Sequence, residues 1–151
     1  MKHMKKREWS LPKGFENEPD IVKGYHCGIA YRIMRHPEMG HLCGYIKLPQ
    51  GHPWLKGALK KRWGKKRFSK KYEQRHVGYD FGPIQNLSVH GGVTFFGRIS
   101  RGRGHWVGFD CAHYDDFVPS MGFKGTYRDI EYVLAELRGL VSQMMPCSTA
   151  A

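Results

Sequence analysis

Apolar and polar residues alternate along four stretches of the chain, and this period of two predicts four β-strands. Residues 25–34 and 41–48 flank a turn that contains Pro37 and Gly40, so they predict a β-hairpin. Residues 87–96 and 105–111 flank a turn rich in Gly and Arg, so they predict a second antiparallel pair. Each predicted strand has one apolar face and one face that carries polar residues and glycines.

A different spacing, with apolar residues every three or four positions, predicts one long helix from Thr126 to about Met145. Thr126 and Asp129 fit a helix-capping pattern, and Pro146 ends the helix. The apolar stripe consists of Ile130, Val133, Leu134, Leu137, Leu140, Val141 and Met144. Because such a stripe must be buried, we predict a small α+β fold: an antiparallel sheet of about four strands with the C-terminal helix packed on one face.

The 151 residues fit a single domain with a hydrophobic core. Residues 1–20 have Pro12, Gly14 and Pro19 among charged residues, which predicts a loosely ordered N-terminal arm. Residues 21–146 form the predicted α+β domain, with a basic insertion at 55–77, and residues 147–151 form a predicted disordered tail. The chain has no apolar run long enough to span a membrane.

The net charge of +12 is concentrated in the predicted insertion. Residues 56–75 contain ten of the 25 Lys and Arg residues against one acidic residue, a local charge of +9 that leaves +3 for the rest of the chain. Trp63, Phe68 and Tyr72 lie among these cations, and this composition suits RNA or single-stranded DNA, although a solvated insertion without a ligand is the alternative. The predicted nucleic-acid contacts are Lys60, Lys61, Arg62, Lys65, Lys66, Arg67, Lys70 and Lys71.

If the helix covers the apolar face of the sheet, strand parity assigns a second set of residues to the opposite, open face. His90 and Asp110 lie there on neighbouring strands, and we expect them to pair. His113 and Asp115 lie in the loop that follows the last strand, and these four residues are the candidate catalytic groups. The candidate ligand-lining residues are His41, Cys43, Gly91, Gly92, Thr94, Trp54 and Trp106.

Two of the chemistries that fit these residues use cysteine. His41 with Cys43, and Cys111 with His113, have the i, i+2 spacing of ligands on one strand face, which suits zinc. Asp110, Asp115 and Asp116 add carboxylates to this option. However, parity turns Cys111 toward the helix, and buried cysteines commonly act as small apolar residues. The second option is a cysteine nucleophile with His90 as its base.

Two further options need no cysteine. His90, with His26 or His41 and a carboxylate, suits acid–base catalysis on phosphate esters. The face would also suit recognition without any chemistry, and a buried His–Asp pair is commonly structural. The sequence therefore does not decide whether the protein is an enzyme.

Three segments, VHGGVTFF, HWVGFDCAHYDDFVP and YRDIEYVLAEL, resemble a family of small uncharacterised proteins of phages and prophages. The shared block is similar to His-Gly-Gly-x-Thr, then aromatic-x-Gly-Phe-Asp-Cys-Ala-His-x-x-Asp, then a Tyr-rich start of a C-terminal helix. The matching residues here are His90, Gly91, Gly92, Thr94, Trp106, Gly108, Phe109, Asp110, Cys111, His113, Asp115 and Pro119. The resemblance implies a cytoplasmic protein of an infected or lysogenic bacterium, and it implies no particular activity.

We therefore expect a small basic protein that binds nucleic acid or a nucleotide-like phosphate ligand at the His/Asp site, with hydrolysis of that ligand left open. The alternative is a non-enzymatic protein that inhibits or recruits a host complex through the basic segment. A zinc-stabilised structural module is a third, less favoured option; the sequence identifies no cofactor and assigns no metal-ligand set.

Overall fold

The computed structural model describes residues 7–53, 55, 84, 86–99, 102–122 and 124–144. Almost all of the predicted basic insertion lies outside these ranges, including the eight predicted nucleic-acid contacts from Lys60 to Lys71. Trp54 and the predicted tail at 147–151 also lie outside them.

Five antiparallel strands form one open sheet, in the order β1-β2-β3-β5-β4. The strands are β1 (Ile21–His26), β2 (Ile29–Arg35), β3 (Leu42–Lys47), β4 (Phe95–Gly97) and β5 (Trp106–Asp110). Helix α1 (Ile130–Met144) packs against β2 and β3. The predicted α+β fold with one C-terminal helix on the sheet is confirmed, with five strands in place of about four.

The core lies between the helix and the apolar face that strand parity predicts for β2, β3 and β5. Its members include Ile29, Ile33, Leu42, Ile46, Val107, Phe109, Val133, Leu137, Leu140 and Val141. Each fully buried aliphatic side chain of this kind stabilises the fold by about 1.5–3 kcal/mol. Gly44 faces the helix from the middle of β3, where a Cβ atom would lie 2.7 Å from the Phe109 ring and 3.0 Å from Val133. Glycine at this position therefore lets the helix approach the sheet closely.

The predicted strand at residues 25–34 is wrong, because the structure divides it into the end of β1 and most of β2. Cys27 and Gly28 have φ angles of 50° and 76°, and they form a two-residue turn between the paired residues His26 and Ile29. A turn of two residues with positive φ is the preferred connection of a tight hairpin. Since the alternation of apolar residues continues across this turn, the pattern concealed it.

The predicted strand at residues 87–96 is also wrong over most of its length. Gly91 and Gly92 have φ angles of 68° and 81°, which lie in the left-handed region and interrupt an extended chain. The strand is therefore only β4, and its parity is inverted: Phe96 is buried in the core opposite Val107, while Phe95 packs edge-on against Tyr45 on the other face.

The face of the sheet opposite the helix is not open at Trp106, contrary to the prediction. The Trp106 side chain is 4% exposed, its Nε1 donates to the carbonyl oxygen of Arg103, and the Arg32 guanidinium lies 5.3 Å from its ring centre. A Cβ atom at Gly102 would lie 3.1 Å from Trp106 Nε1, so the loop before β5 folds over the indole. Trp106 therefore stabilises this loop and does not line an open groove.

Helix α1 begins at Ile130, four residues later than predicted. Asp129 is the capping residue, because its Oδ1 accepts a hydrogen bond from the Tyr132 backbone N–H at 2.9 Å. Glu18 supplies a second cap, since its Oε2 accepts from the Ile130 N–H at 3.1 Å. Thr126, the predicted cap, instead forms an isolated parallel bridge with Asp116.

Arg35, at the end of β2, joins the N-terminal residues to the sheet and to the helix. Its side chain is 1% exposed. Its guanidinium donates five hydrogen bonds, to Glu18, Asp20, the Tyr127 hydroxyl and the carbonyl oxygens of Pro19 and Gly40. Five is the number of N–H groups that a guanidinium has, so every donor is satisfied.

Among the residues that the structure describes, no helix has both the length and the apolar character needed to cross a membrane.

Candidate functional site

Three segments meet at the end of β5: the turn at His90, the loop after Asp110, and the first turns of helix α1. His90 connects the three segments. Its Nε2 lies 2.7 Å from Asp116 Oδ2, and its Nδ1 lies 2.7 Å from the Tyr132 hydroxyl oxygen. A carboxylate only accepts hydrogen bonds, so the partners assign the proton to Nε2. Both ring nitrogens of His90 are therefore occupied within the protein.

Asp116 is the fully buried carboxylate at the centre of this site. It accepts hydrogen bonds from His90 Nε2, from Arg128 Nε at 2.8 Å and from the His113 backbone N–H at 3.0 Å. Burial by itself would raise the pKa of Asp116, but the hydrogen bonds from Arg128 and His90 outweigh it and lower the pKa below its ordinary value. Asp116 is therefore ionised at neutral pH and anchors the loop that carries His113.

A second histidine and carboxylate lie beside the first pair. His113 Nε2 is 3.2 Å from Asp110 Oδ1, a close contact without hydrogen-bond geometry. Asp110 accepts its hydrogen bonds from the Thr94 hydroxyl at 2.9 Å and from the Ala112 backbone N–H at 3.1 Å. The His113 side chain is 32% exposed, whereas that of His90 is 12% exposed. His113 is therefore the imidazole that a ligand can reach.

The two imidazoles are neighbours, with ring centres 5.9 Å apart and an angle of 69° between the rings. Gly91 explains how the His113 ring fits there. A Cβ atom at Gly91 would lie 2.2 Å from His113 Nε2, so the ring rests directly on the bare backbone of this residue. Gly91 also has a φ angle of 68°, which a side chain would disfavour.

The structure brings three of the four predicted catalytic residues together, but it pairs them differently. His90 pairs with Asp116, and Asp110 pairs with His113, so the expected His90–Asp110 pair is wrong. The reason is the left-handed turn at Gly91, which places His90 against the helix, where its backbone N–H donates to Glu136. Asp115, the fourth candidate, is exposed at the surface of the loop.

Asp116, Arg128 and Tyr132 were not among the predicted catalytic or lining residues, and Asp116 was considered only as a carboxylate for the zinc option. Asp116 follows Asp115 directly, and no periodic pattern tells which of two adjacent aspartates in a loop turns inward. Arg128 lies two residues before helix α1 begins at Ile130, and its guanidinium lies 4.8 Å from the centre of the Tyr132 ring in the first turn of the helix. No helical spacing joins these two residues, so the sequence pattern gave no signal for this contact.

The predicted lining residues divide into site residues and core residues. Gly91 and Thr94 contact the histidine and carboxylate side chains, and a Cβ atom at Gly92 would meet only open space. Burial raises the pKa of Cys43 to about 12, with the charge of Asp110 adding to the shift. Burial also raises the pKa of Cys111. Both thiols are therefore protonated at neutral pH, which argues against a cysteine nucleophile.

The zinc ligands suggested by the sequence do not form a site. Cys111 is buried in the core at 1% exposure, on the helix side of the sheet. Within the described ranges, no three or more His, Cys, Asp or Glu side chains are grouped so that they could hold a metal ion.

His41, at the start of β3, is 4% exposed, and its ring stacks on His36 with centres 5.1 Å apart. Burial lowers its pKa from 6.5 to about 4, with Asp110 opposing the shift and His36 adding to it. The unfolded chain thus binds this proton at a higher pH than the folded protein does. The contribution of neutral His41 to the free energy of unfolding is complete above pH 6.5 and is lost as the pH falls toward 4. We expect His41 to account for a loss of roughly 3 kcal/mol over this range.

Urea unfolding of wild type and His41→Asn at about pH 7 and about pH 4.5 measures this contribution. The variant removes the buried proton acceptor, so its unfolding free energy should fall less on acidification. His36→Asn is the comparison variant: it removes the less buried imidazole of the stacked pair, so it should reduce the pH dependence by less than His41→Asn does. An equal pH dependence in wild type and His41→Asn would contradict the prediction.

Comparisons of this chain with family models, curated proteins and solved structures found no match. The resemblance to phage and prophage proteins therefore stays a prediction, and the argument for function rests on the site itself.

Proposed function

We propose that the protein binds a nucleic acid or nucleotide-like phosphate ligand at His113 and hydrolyses its ester bond with this imidazole as the acid–base group. The observation that carries the proposal is the pair of adjacent imidazoles, each with a carboxylate oxygen close to one ring nitrogen, of which His113 is the accessible one. Carboxylate-oriented histidines are the usual groups for proton transfer near neutral pH.

The two histidines have different roles in this proposal, and His113 is the one that transfers the proton. One ring nitrogen of His113 faces Asp110, which leaves the other for the ligand. The imidazole accepts the proton of an attacking water as the new phosphorus–oxygen bond forms, and it returns this proton to the oxygen of the ester bond that breaks. Asp110 stabilises the imidazolium formed between these steps through its negative charge.

His90 is a positioning residue in this proposal. Both of its ring nitrogens are occupied, by Asp116 and by Tyr132. Asp116 in turn accepts a hydrogen bond from the His113 backbone N–H and is held by Arg128. The His90 network therefore sets where the His113 ring lies, and it does not itself reach the ligand.

The charge of the chain supports a phosphate ligand. The net charge is +12, and ten of the cations lie at residues 56–75, beside three aromatic residues. Such a segment attracts polyanions and suits unpaired bases. We place the protein in the cytoplasm of a bacterial host, as its predicted resemblance implies.

Fluorescently labelled single-stranded RNA and DNA, at low salt, test the proposal in a cleavage assay and a binding assay. Wild type should bind and cleave, and His113→Ala should reduce cleavage by roughly 100-fold or more, the usual contribution of an acid–base group. Asp110→Asn should reduce it in the same direction. Thermal melting should be little changed in His113→Ala, because its side chain is one-third exposed.

His26→Ala is the matched control, since this histidine lies on edge strand β1, at the far side of the sheet from the site. It should cleave like wild type. If wild type binds neither polymer, or if His113→Ala cleaves as fast as wild type, the proposed function is wrong. If wild type binds neither RNA nor DNA, the result favours the alternative, a protein that acts on a host complex.

A further inference from the structure

We propose that Tyr114 is the platform on which an unpaired nucleobase stacks when its phosphate lies at His113. The inference rests on the function proposed above and narrows its substrate class to single-stranded nucleic acid. Tyr114 is the residue directly after His113, so the two α-carbons are about 3.8 Å apart. In this proposal one nucleotide contacts both side chains.

The Tyr114 side chain is completely exposed. The other large hydrophobic side chains that are exposed among the described residues are Ile21, Tyr25 and Met121, and each of them is partly covered. A single exposed aromatic residue is common and is not a site by itself. Tyr114 differs because of how it is held and because of what lies beside it.

The loop holds Tyr114 at the apex of a tight turn. The Asp116 N–H donates to the His113 carbonyl oxygen at 3.0 Å, which closes a four-residue turn. Its third residue, Asp115, has a φ angle of 69°, in the left-handed region that aspartate adopts more often than most residues other than glycine. The turn is therefore a regular one, with Tyr114 at its second position.

Contacts on the other side of the turn keep it in place. The Thr126 N–H donates to the Asp115 carbonyl oxygen at 2.7 Å, and the Phe117 N–H donates to the Thr126 carbonyl oxygen at 2.9 Å. Gly125 packs so closely that a Cβ atom there would lie 2.6 Å from the Asp116 carbonyl carbon. These contacts hold the backbone of the turn away from the protein surface, and the Tyr114 ring is exposed to solvent.

An exposed ring on a turn whose backbone is held, beside an imidazole, suits an unpaired base and not a duplex. In a duplex the bases are stacked and paired, so they offer no free face to Tyr114. An aromatic ring binds any base in this way, because every base has a π face, and sequence preference is therefore expected to be weak. Lys124 is exposed in the segment that pairs with this turn, and its charge suits the next phosphate along the strand.

Fluorescence anisotropy with a labelled oligothymidylate, and with the same strand in a duplex, tests the inference. Tyr114→Ala should weaken single-strand binding by roughly 5- to 100-fold, and Tyr114→Trp should restore it. The loss should persist at raised salt, since stacking is not screened as contacts with phosphate are. Duplex binding should stay unchanged, and so should thermal melting.

Tyr25→Ala is the matched control: this tyrosine is 78% exposed, but it lies on edge strand β1. It should bind like wild type. If Tyr114→Ala leaves single-strand binding unchanged while His113→Ala abolishes cleavage, the stacking inference is wrong and the proposed function stands. An equal loss for single strand and duplex would also overturn the inference. If wild type binds neither of these probes nor the single-stranded RNA of the cleavage assay, both are wrong.

Discussion

Arg35→Ala is expected to lower the free energy of unfolding by about 3–5 kcal/mol, the cost of removing one partner from a buried ion pair. The substitution leaves the nearly buried Glu18 carboxylate without its cation and removes all five hydrogen bonds of the guanidinium. Glu18 also caps the helix at Ile130, so the loss extends to the helix start. The free energy of unfolding of Arg35→Lys should lie between those of wild type and Arg35→Ala, because an ammonium group keeps the charge but offers only three donors.

Urea unfolding at neutral pH measures these differences, and Arg7→Ala is the matched control. Arg7 contacts the same Asp20 carboxylate from the solvent side, and its side chain is 48% exposed. An exposed ion pair of this kind contributes less than about 1 kcal/mol. A similar loss in Arg7→Ala and Arg35→Ala would show that burial is not what makes Arg35 important.

Gly91→Ala is expected to displace the His113 imidazole and to reduce the proposed activity by roughly 100-fold, as a misplacement of about 1 Å at a reacting group can do. A Cβ atom at this position would lie 2.2 Å from the His113 ring, which is far inside van der Waals contact. The positive φ angle of Gly91 adds about 1–2 kcal/mol of backbone strain, so stability should fall as well.

Gly92→Ala separates these two effects. Gly92 also has a positive φ angle, of 81°, but a Cβ atom there meets nothing within 4 Å. It should therefore lose stability by about 1–2 kcal/mol through strain alone and keep its activity. The His113 ring signals in NMR spectra should shift in Gly91→Ala and stay in place in Gly92→Ala. Equal activity in the two variants would mean that the position of His113 does not matter.

Local periodicity was sufficient to predict the core residues of the helix and of β2, β3 and β5, although not Phe96 in β4. Val133, Leu137, Leu140 and Val141 follow the helical spacing, and all four are buried against the sheet. The alternation in β3 turns Leu42 and Ile46 toward the helix and Cys43 away from it. These predictions succeed because side-chain direction in a helix or strand depends only on residue spacing.

The sequence predicted which residues of the candidate site lie near one another, but not which of them pair. His90, Asp110 and His113 lie within one short segment of sequence, so their proximity follows from a simple hairpin. Their partners do not follow, because His90 turns away from the sheet at Gly91 and meets Asp116 and Tyr132. Such contacts depend on backbone angles in turns, for which the hydrophobic pattern carries no information.

The sequence by itself determined the fold class, the helix-facing residues of three strands and the region in which the chemical groups gather. The tertiary structure alone decided where the turns lie, which aspartate pairs with which histidine, and that Trp106 is covered. The physical reason is the same in each case. Burial of apolar residues repeats with a local period, whereas turns at Cys27 and Asp115 and contacts between distant polar groups depend on single backbone conformations that only the packed chain specifies.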